Sequence, residues 1–258
     1  MKTILRIFYI STISFLCSCN PNPDNNTIKE TDSIVQIKPE TVSKNIDTSI
    51  NSKNCDNIQI FPENNSYLDS TIVSFNRQLV NIIDKKDINA LIKILDKDII
   101  TSNGGGISGI PDFYTNWDLR KDPKKSQLWS ALNNVVKLGG CYNTDEKNLT
   151  FIFPYLQSGH LFKGCTFDWF STCVCTKPKV FVYEKPIVNS RILDTLNYNV
   201  LETGYEASIS GTFVAVKTFD GKISGYTLLD NVYFTADYAL IVEKKNGLWK
   251  ITSFAPFD

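Results

Sequence analysis

The chain has 258 residues, with 27 basic and 27 acidic side chains, one histidine and seven cysteines. So even a balance leaves no basic footprint for nucleic acid and no polybasic patch for anionic headgroups. The length suffices for one sizeable domain or two small ones.

Residues 1–18 read as a targeting segment. Lys2 and Arg6 form a positive start, and Ile7-Phe8-Tyr9-Ile10 through Phe15-Leu16 form an apolar core. That core is about ten residues, too short to span a bilayer, so a removed signal peptide is expected rather than a transmembrane helix. Leu16-Cys17-Ser18-Cys19 follows and resembles a bacterial lipobox. The resemblance implies cleavage before Cys19, acylation of Cys19, and a mature protein held on a membrane by lipid alone. Cleavage removes two basic residues and no acid, which leaves a net charge of about −2. The implied location is the bacterial cell envelope, on the periplasmic face of the outer membrane or at the cell surface.

Residues 19–66 read as a tether rich in Asn, Asp, Thr, Ser, Lys and Pro. Its apolar residues (Ile34, Val35, Ile37, Ile50) come singly or in pairs, too sparse to offset the entropy of ordering, so disorder is expected. Fully extended it would reach about 150 Å.

A helical subdomain is expected over residues 67–178. Ile72, Val73, Leu79, Val80, Ile82 and Ile83 recur at three- and four-residue spacings, with Asp69 and Ser70 as candidate N-caps. Lys85-Lys86 breaks the pattern. Asp87 then caps a second helix carrying Ile88, Leu91, Ile92 and Leu95 on one stripe. The loop Ser102–Gly109 is Gly-rich but lacks a following Gly-Lys-Ser/Thr, so a plain loop is preferred to a phosphate cradle. Ser126 is placed to cap a helix with Leu128, Trp129, Leu132, Val135 and Val136 inward, which Gly139-Gly140 ends. Leu149 to Tyr155 reads as a strand stopped by Pro154.

Residues 179–258 read as short β-segments punctuated by Gly, Asn and Asp, the pattern of a small barrel or sandwich. Val188-Asn189-Ser190-Arg191, the Asp220-Gly221-Lys222 turn and Gly225-Tyr226 resemble a bacterial SH3-like (SH3b) domain. Together with Trp117, Trp129, Leu138-Gly139-Gly140 and Phe153-Pro154-Tyr155, they resemble SH3-domain proteins secreted by Bacteroidota, a family without an assigned activity. Asn246-Gly247 between two β-runs predicts a hairpin. The expected fold is α+β: an N-terminal helical subdomain, then an SH3-like antiparallel β-barrel with an added C-terminal hairpin. The closing Gly247-Leu248-Trp249-Lys250-Ile251 also resembles the last strand of NTF2-like cones, and that fold is the alternative.

Disulfides persist in an oxidising envelope, and Cys141, Cys165, Cys173 and Cys175 are the candidates to form one or two of them. Four cysteines allow three connectivities, and a Cys173–Cys175 bond would be strained. Cys55 is the odd one. His160 lies near Cys165, which raises a Cys/His nucleophile pair as in cell-wall cysteine peptidases, but such peptidases place the Cys first, at the start of a helix. A zinc site from His160, Cys165, Cys173 and Cys175 would need an uncommon spacing, so no metal and no cofactor is expected. Aspartates 194, 220, 230 and 237 fall in or beside turns. A shallow groove of Tyr183, Asn189, Arg191 and Tyr226 is the candidate ligand site, because aromatic side chains offer contact area at low entropic cost. The expected function is therefore a non-enzymatic, lipid-anchored binding module for a peptide, a peptidoglycan fragment or a partner protein. A cell-wall hydrolase using His160 and a cysteine, and a structural subunit of an envelope complex, are the alternatives.

Overall fold

A computed structural model describes residues 58–63, 65–102, 108–144, 149–162, 166–204 and 207–256. Cys19, where acylation is expected, Cys55 and most of the expected tether lie outside them. The architecture is α+β, with four α-helices and two large sheets among the described residues.

Helix α1 (Thr71–Lys85) places Ile72, Phe75, Leu79, Ile82 and Ile83 on one buried face, as amphipathic spacing requires. Asp69 lies one residue before the N-cap position, Ser70, and its carboxylate accepts from the Thr71 amide at 3.0 Å and from the Thr71 hydroxyl at 2.6 Å at the start of the helix. Ser70 makes no side-chain cap. Lys86 adopts a left-handed conformation and stops the helix. Asp87 then caps α2 (Ile88–Ile94) by accepting from Ala90 at 3.0 Å. After α3 (Ile110–Asn116), the Ser126 hydroxyl accepts from the Leu128 amide at 3.1 Å to open α4 (Leu128–Val136). The inward residues of α4 are the five that the periodicity named. No helix is long and apolar enough to cross a membrane, among the described residues.

These helices cover a five-stranded sheet. Its strands are β1 (Leu95–Ile100), β2 (Cys141–Asn143), β3 (Thr150–Phe153), β12 (Tyr238–Lys245) and β13 (Leu248–Pro256), in the order β1-β13-β12-β3-β2. Only β1 pairs in parallel, with β13. The expected Asn246-Gly247 hairpin is present, both residues taking positive φ. It does not extend a barrel, however. It supplies the centre of the helix-covered sheet, because Leu240, Val242, Trp249, Ile251 and Phe254 share one core with the apolar faces of α1 to α4.

The second sheet holds β4 (Thr172–Cys175), β5 (Val180–Tyr183), β6 (Ile192–Leu196), β7 (Val200–Glu202), β8 (Ile209–Ser210), β9 (Phe213–Lys217), β10 (Ser224–Leu228) and β11 (Val232–Phe234). Its order is β11-β4-β7-β9-β10-β5-β6, with β8 against β9, and it is not closed into a barrel. Strand β4, expected in the helical subdomain, belongs to this sheet.

A separate cluster joins the two sheets: Cys141 and Tyr155 beside Val174, Val200 and Tyr233, with Ile60 among them. Ile60 corrects the expected tether boundary. Residues 58–60 run antiparallel to the start of β7, with Ile60 N–H donating to Tyr198 O at 2.8 Å and Val200 N–H to Ile58 O at 2.9 Å. Further along, Asn65 is buried, and its side chain meets both backbone groups of Tyr142 on β2, at 2.9 and 2.7 Å. An isolated Ile-x-Ile gives too little hydrophobic signal to reveal such a strap.

Candidate functional site

Two of the four residues expected to line a groove are brought side by side. Tyr183 on β5 and Tyr226 on β10 are register partners. Strand alternation sends Val180, Val182, Val214 and Val216 into the core, so Phe181, Tyr183, Phe213 and Tyr226 take the opposite face. Tyr183 packs edge-on against Phe213 (5.8 Å) and Phe181 (6.2 Å), which buries Tyr183 and leaves Phe181 and Tyr226 partly open.

Val188–Arg191 is not the strand that was expected. It is the exposed turn joining β5 to β6, because the Ser190 hydroxyl accepts from Lys185 N–H and donates to Lys185 O, both at 3.1 Å. Glu184 N–H donates to Arg191 O at 2.9 Å and closes the loop beside Tyr183. Asn189 and Arg191 are therefore exposed at the same end of the sheet as the tyrosines. Sequence reasoning missed the apolar residues of this hairpin, Ile187 (59 % exposed), Val188 (57 %) and Ile192 (47 %). The signal was the run Pro186-Ile187-Val188, which looks like a buried strand until the turn geometry is known.

The cysteines depart from expectation. Cys141, Cys173 and Cys175 are free and buried. Cys173 and Cys175 alternate with Val174 on β4, so both point into the core of the eight-stranded sheet, while Cys141 lies in the cluster between sheets. That division separates Cys141 from the other two. Desolvation pushes the Cys141 thiol up to about 11 and the Cys175 thiol to about 12, and raises Cys173 well above the ordinary range. A nucleophile or metal ligand must be a thiolate, and these three are held as thiols. Cys165 and the His160 side chain lie outside the described residues.

A concave site that the sequence did not reveal lies between α4 and the 229–238 segment. This cleft of about 260 Å³ is lined on one side by Val135, Lys137 and Leu138, and on the other by Asp230, Tyr233, Asp237 and Tyr238. Its floor is firmly held. Tyr233 OH donates to Tyr238 O at 2.7 Å and accepts from the buried Gln157 amide at 2.9 Å, and that amide also donates to Thr235 O at 2.8 Å. The Tyr238 ring packs on Trp117 and Phe254 at 5.3 and 5.2 Å. Lys137 turns along the helix and donates to Asn134 at 3.1 Å. Asp237 is exposed overall, yet desolvation by the protein around its carboxyl raises its pKa. Its negative charge in turn adds to the burial that raises the Tyr233 and Tyr238 phenols. Among the described residues neither Asp230 nor Asp237 has an ion-pair partner.

Comparison with known proteins gives no match among family models, curated proteins or solved structures.

Proposed function

We propose that this chain is a lipid-anchored, non-catalytic binding module of the bacterial cell envelope. It is acylated at Cys19 and recognises a peptide, a peptidoglycan fragment or a partner protein through the outer face of an SH3-like lobe. The observation that carries this reading is the pairing of Tyr226 with Tyr183, flanked by Phe181 and Phe213 and continued by exposed Ile187, Val188 and Ile192. Tyr183 and Phe213 are buried supports, and the apolar surface left exposed, Phe181, Ile187, Val188 and Ile192 beside half-open Tyr226, is of the kind found at interaction sites.

Two local features support the finer fold. The β9–β10 turn is closed by Asp220, which accepts from Thr218 OH at 2.6 Å and Lys222 N–H at 3.1 Å, with Gly221 at φ 69°. In the next strand Gly225 has no room for a Cβ, which would meet Tyr183 O and Val182. Both lie where the SH3b resemblance puts a hairpin and a Gly-Tyr pair. The helix-covered sheet supports the NTF2-like reading for the rest, since Trp249 of the last strand donates from its indole to Thr71 OH at 2.9 Å and docks α1. We read the chain as an NTF2-like layer with the SH3-like lobe emerging between β3 and β12. Burial weighs against Cys141, Cys173 and Cys175 as the nucleophile of the hydrolase alternative, since these three thiols are core residues.

Co-sedimentation of the mature, unacylated chain with purified sacculi tests the proposal. Wild type is expected to pellet with sacculi, and Tyr226→Ala and Arg191→Ala to weaken that binding several-fold. Sacculus binding that both variants retain in full would overturn the assignment of the face. No binding to sacculi, peptides or envelope proteins would overturn the function.

A further inference from the structure

The cleft between α4 and the 229–238 segment is a second concave site, independent of the aromatic face. Its chemistry is specific in three respects. First, its charge is unbalanced: Asp230 and Asp237 line it without an ion-pair partner among the described residues, against the single lysine Lys137, whose ammonium donates to Asn134. Second, Tyr233, Phe234 and Tyr238 line the same space, and aromatic faces attract organic cations. Third, its volume of about 260 Å³ is below the roughly 300 Å³ at which pockets for drug-sized ligands begin, so the occupant is small.

We propose that this cleft binds a small organic ammonium group, either a free amine or a lysine-type side chain. The ammonium would be held by Asp230 and Asp237, and its carbon frame would lie against Tyr233, Tyr238 and Val135. A bare metal ion fits less well. Calcium needs six to eight oxygen ligands, and among the described residues no group of three or more acidic, His or Cys side chains is placed to hold an ion. An ammonium is satisfied by two carboxylates and the aromatic lining. The rigid floor, with Tyr233 fixed by Gln157 and Tyr238 O, keeps the shape in place before a ligand arrives.

The test is isothermal titration of the mature chain with cadaverine, with a lysine-centred tripeptide, and with the uncharged controls pentanol and glutaramide. Saturable binding of cadaverine or the tripeptide in the micromolar to millimolar range is expected, with no binding of the controls. Tighter binding of the tripeptide would identify a peptide as the source, and equal binding a free amine. Asp237→Asn and Asp230→Asn are each expected to weaken binding about tenfold, the loss of one charge-assisted contact. Circular dichroism and urea midpoints verify that each variant folds, and two independent variants guard against one failing to do so. The inference is overturned if no ammonium probe binds, if the uncharged controls bind equally well, or if binding survives both substitutions.

Discussion

Replacing Asn65 with alanine removes the link between the strap and β2. The Asn65 side chain donates to Tyr142 O at 2.9 Å and accepts from Tyr142 N–H at 2.7 Å, as a neighbouring strand would. Both residues are buried, so in Asn65→Ala neither group of Tyr142 recovers a water partner. Each buried polar group left unsatisfied costs about 1–3 kcal/mol, so the pair loses about 2–6 kcal/mol. For a protein whose total stability is about 5–15 kcal/mol this is a large fraction. In a folded body of this size, at about 2–4 °C per kcal/mol, it lowers Tm by roughly 4–24 °C. Urea denaturation of the chain, followed by tryptophan fluorescence, measures it. A loss below about 0.5 kcal/mol, the range of a neutral surface substitution, would mean that the strap is not part of the folding unit.

Further predictions follow from the same packing. Gly140→Ala places a Cβ against Phe151, 2.7 Å from Ile152 O and 2.8 Å from Phe153, and is expected to cost about 1–3 kcal/mol in a chemical melt. An unchanged urea midpoint would refute that crowding. Iodoacetamide at pH 8 should leave Cys141, Cys173 and Cys175 unmodified in the native chain and alkylate all three in denaturant. Native labelling of any of them, or a disulfide at one of them in a peptide map, would contradict their burial as thiols. The carboxyl of Asp69 is held down to about 2, chiefly by its hydrogen bond with Lys244 (2.6 Å) and then by Thr71. Since its folded pKa lies below the ordinary 3.8, the pair's stabilisation is present above about pH 4 and lost as pH falls towards 2. Asp69→Asn should therefore lower the urea midpoint slightly at pH 6 and not at pH 2, and the difference should shrink in high salt because the pair is partly exposed. An equal effect at both pH values would assign the loss to the hydrogen bonds with Thr71 rather than to charge.

Local chemistry was legible along the chain wherever one segment carried it alone. The stripe of α4, the Asp87 cap, the left-handed stop after α4 at Gly139 and the Asn246-Gly247 turn depend only on spacing or on a residue's own φ preference. Tyr183 and Tyr226 were named from residue type, and strand alternation then placed them on one face. The Cys-rich stretch was misread for the opposite reason. Burial decides whether a cysteine acts as a reactive thiol or as a small apolar residue, and Cys173 and Cys175 acquire their burial from β7 and β11 on either side of β4.

Alternating apolar residues, the Asn-Gly turn and the helical stripes determined the α+β class and the type of each element, because these depend on periods of two and 3.6 residues. Tertiary structure alone decided which sheet each strand joins. Tyr238–Pro256 pairs with β1 and β3 across some 85 to 160 residues of chain rather than with its neighbour β11. Register and partner depend on which long-range apolar faces bury each other, and a strand's own pattern shows only that it has such a face. For the same reason, the strap and the acidic cleft had no local signature. Each is made by side chains that are distant in sequence and adjacent only once both sheets have formed.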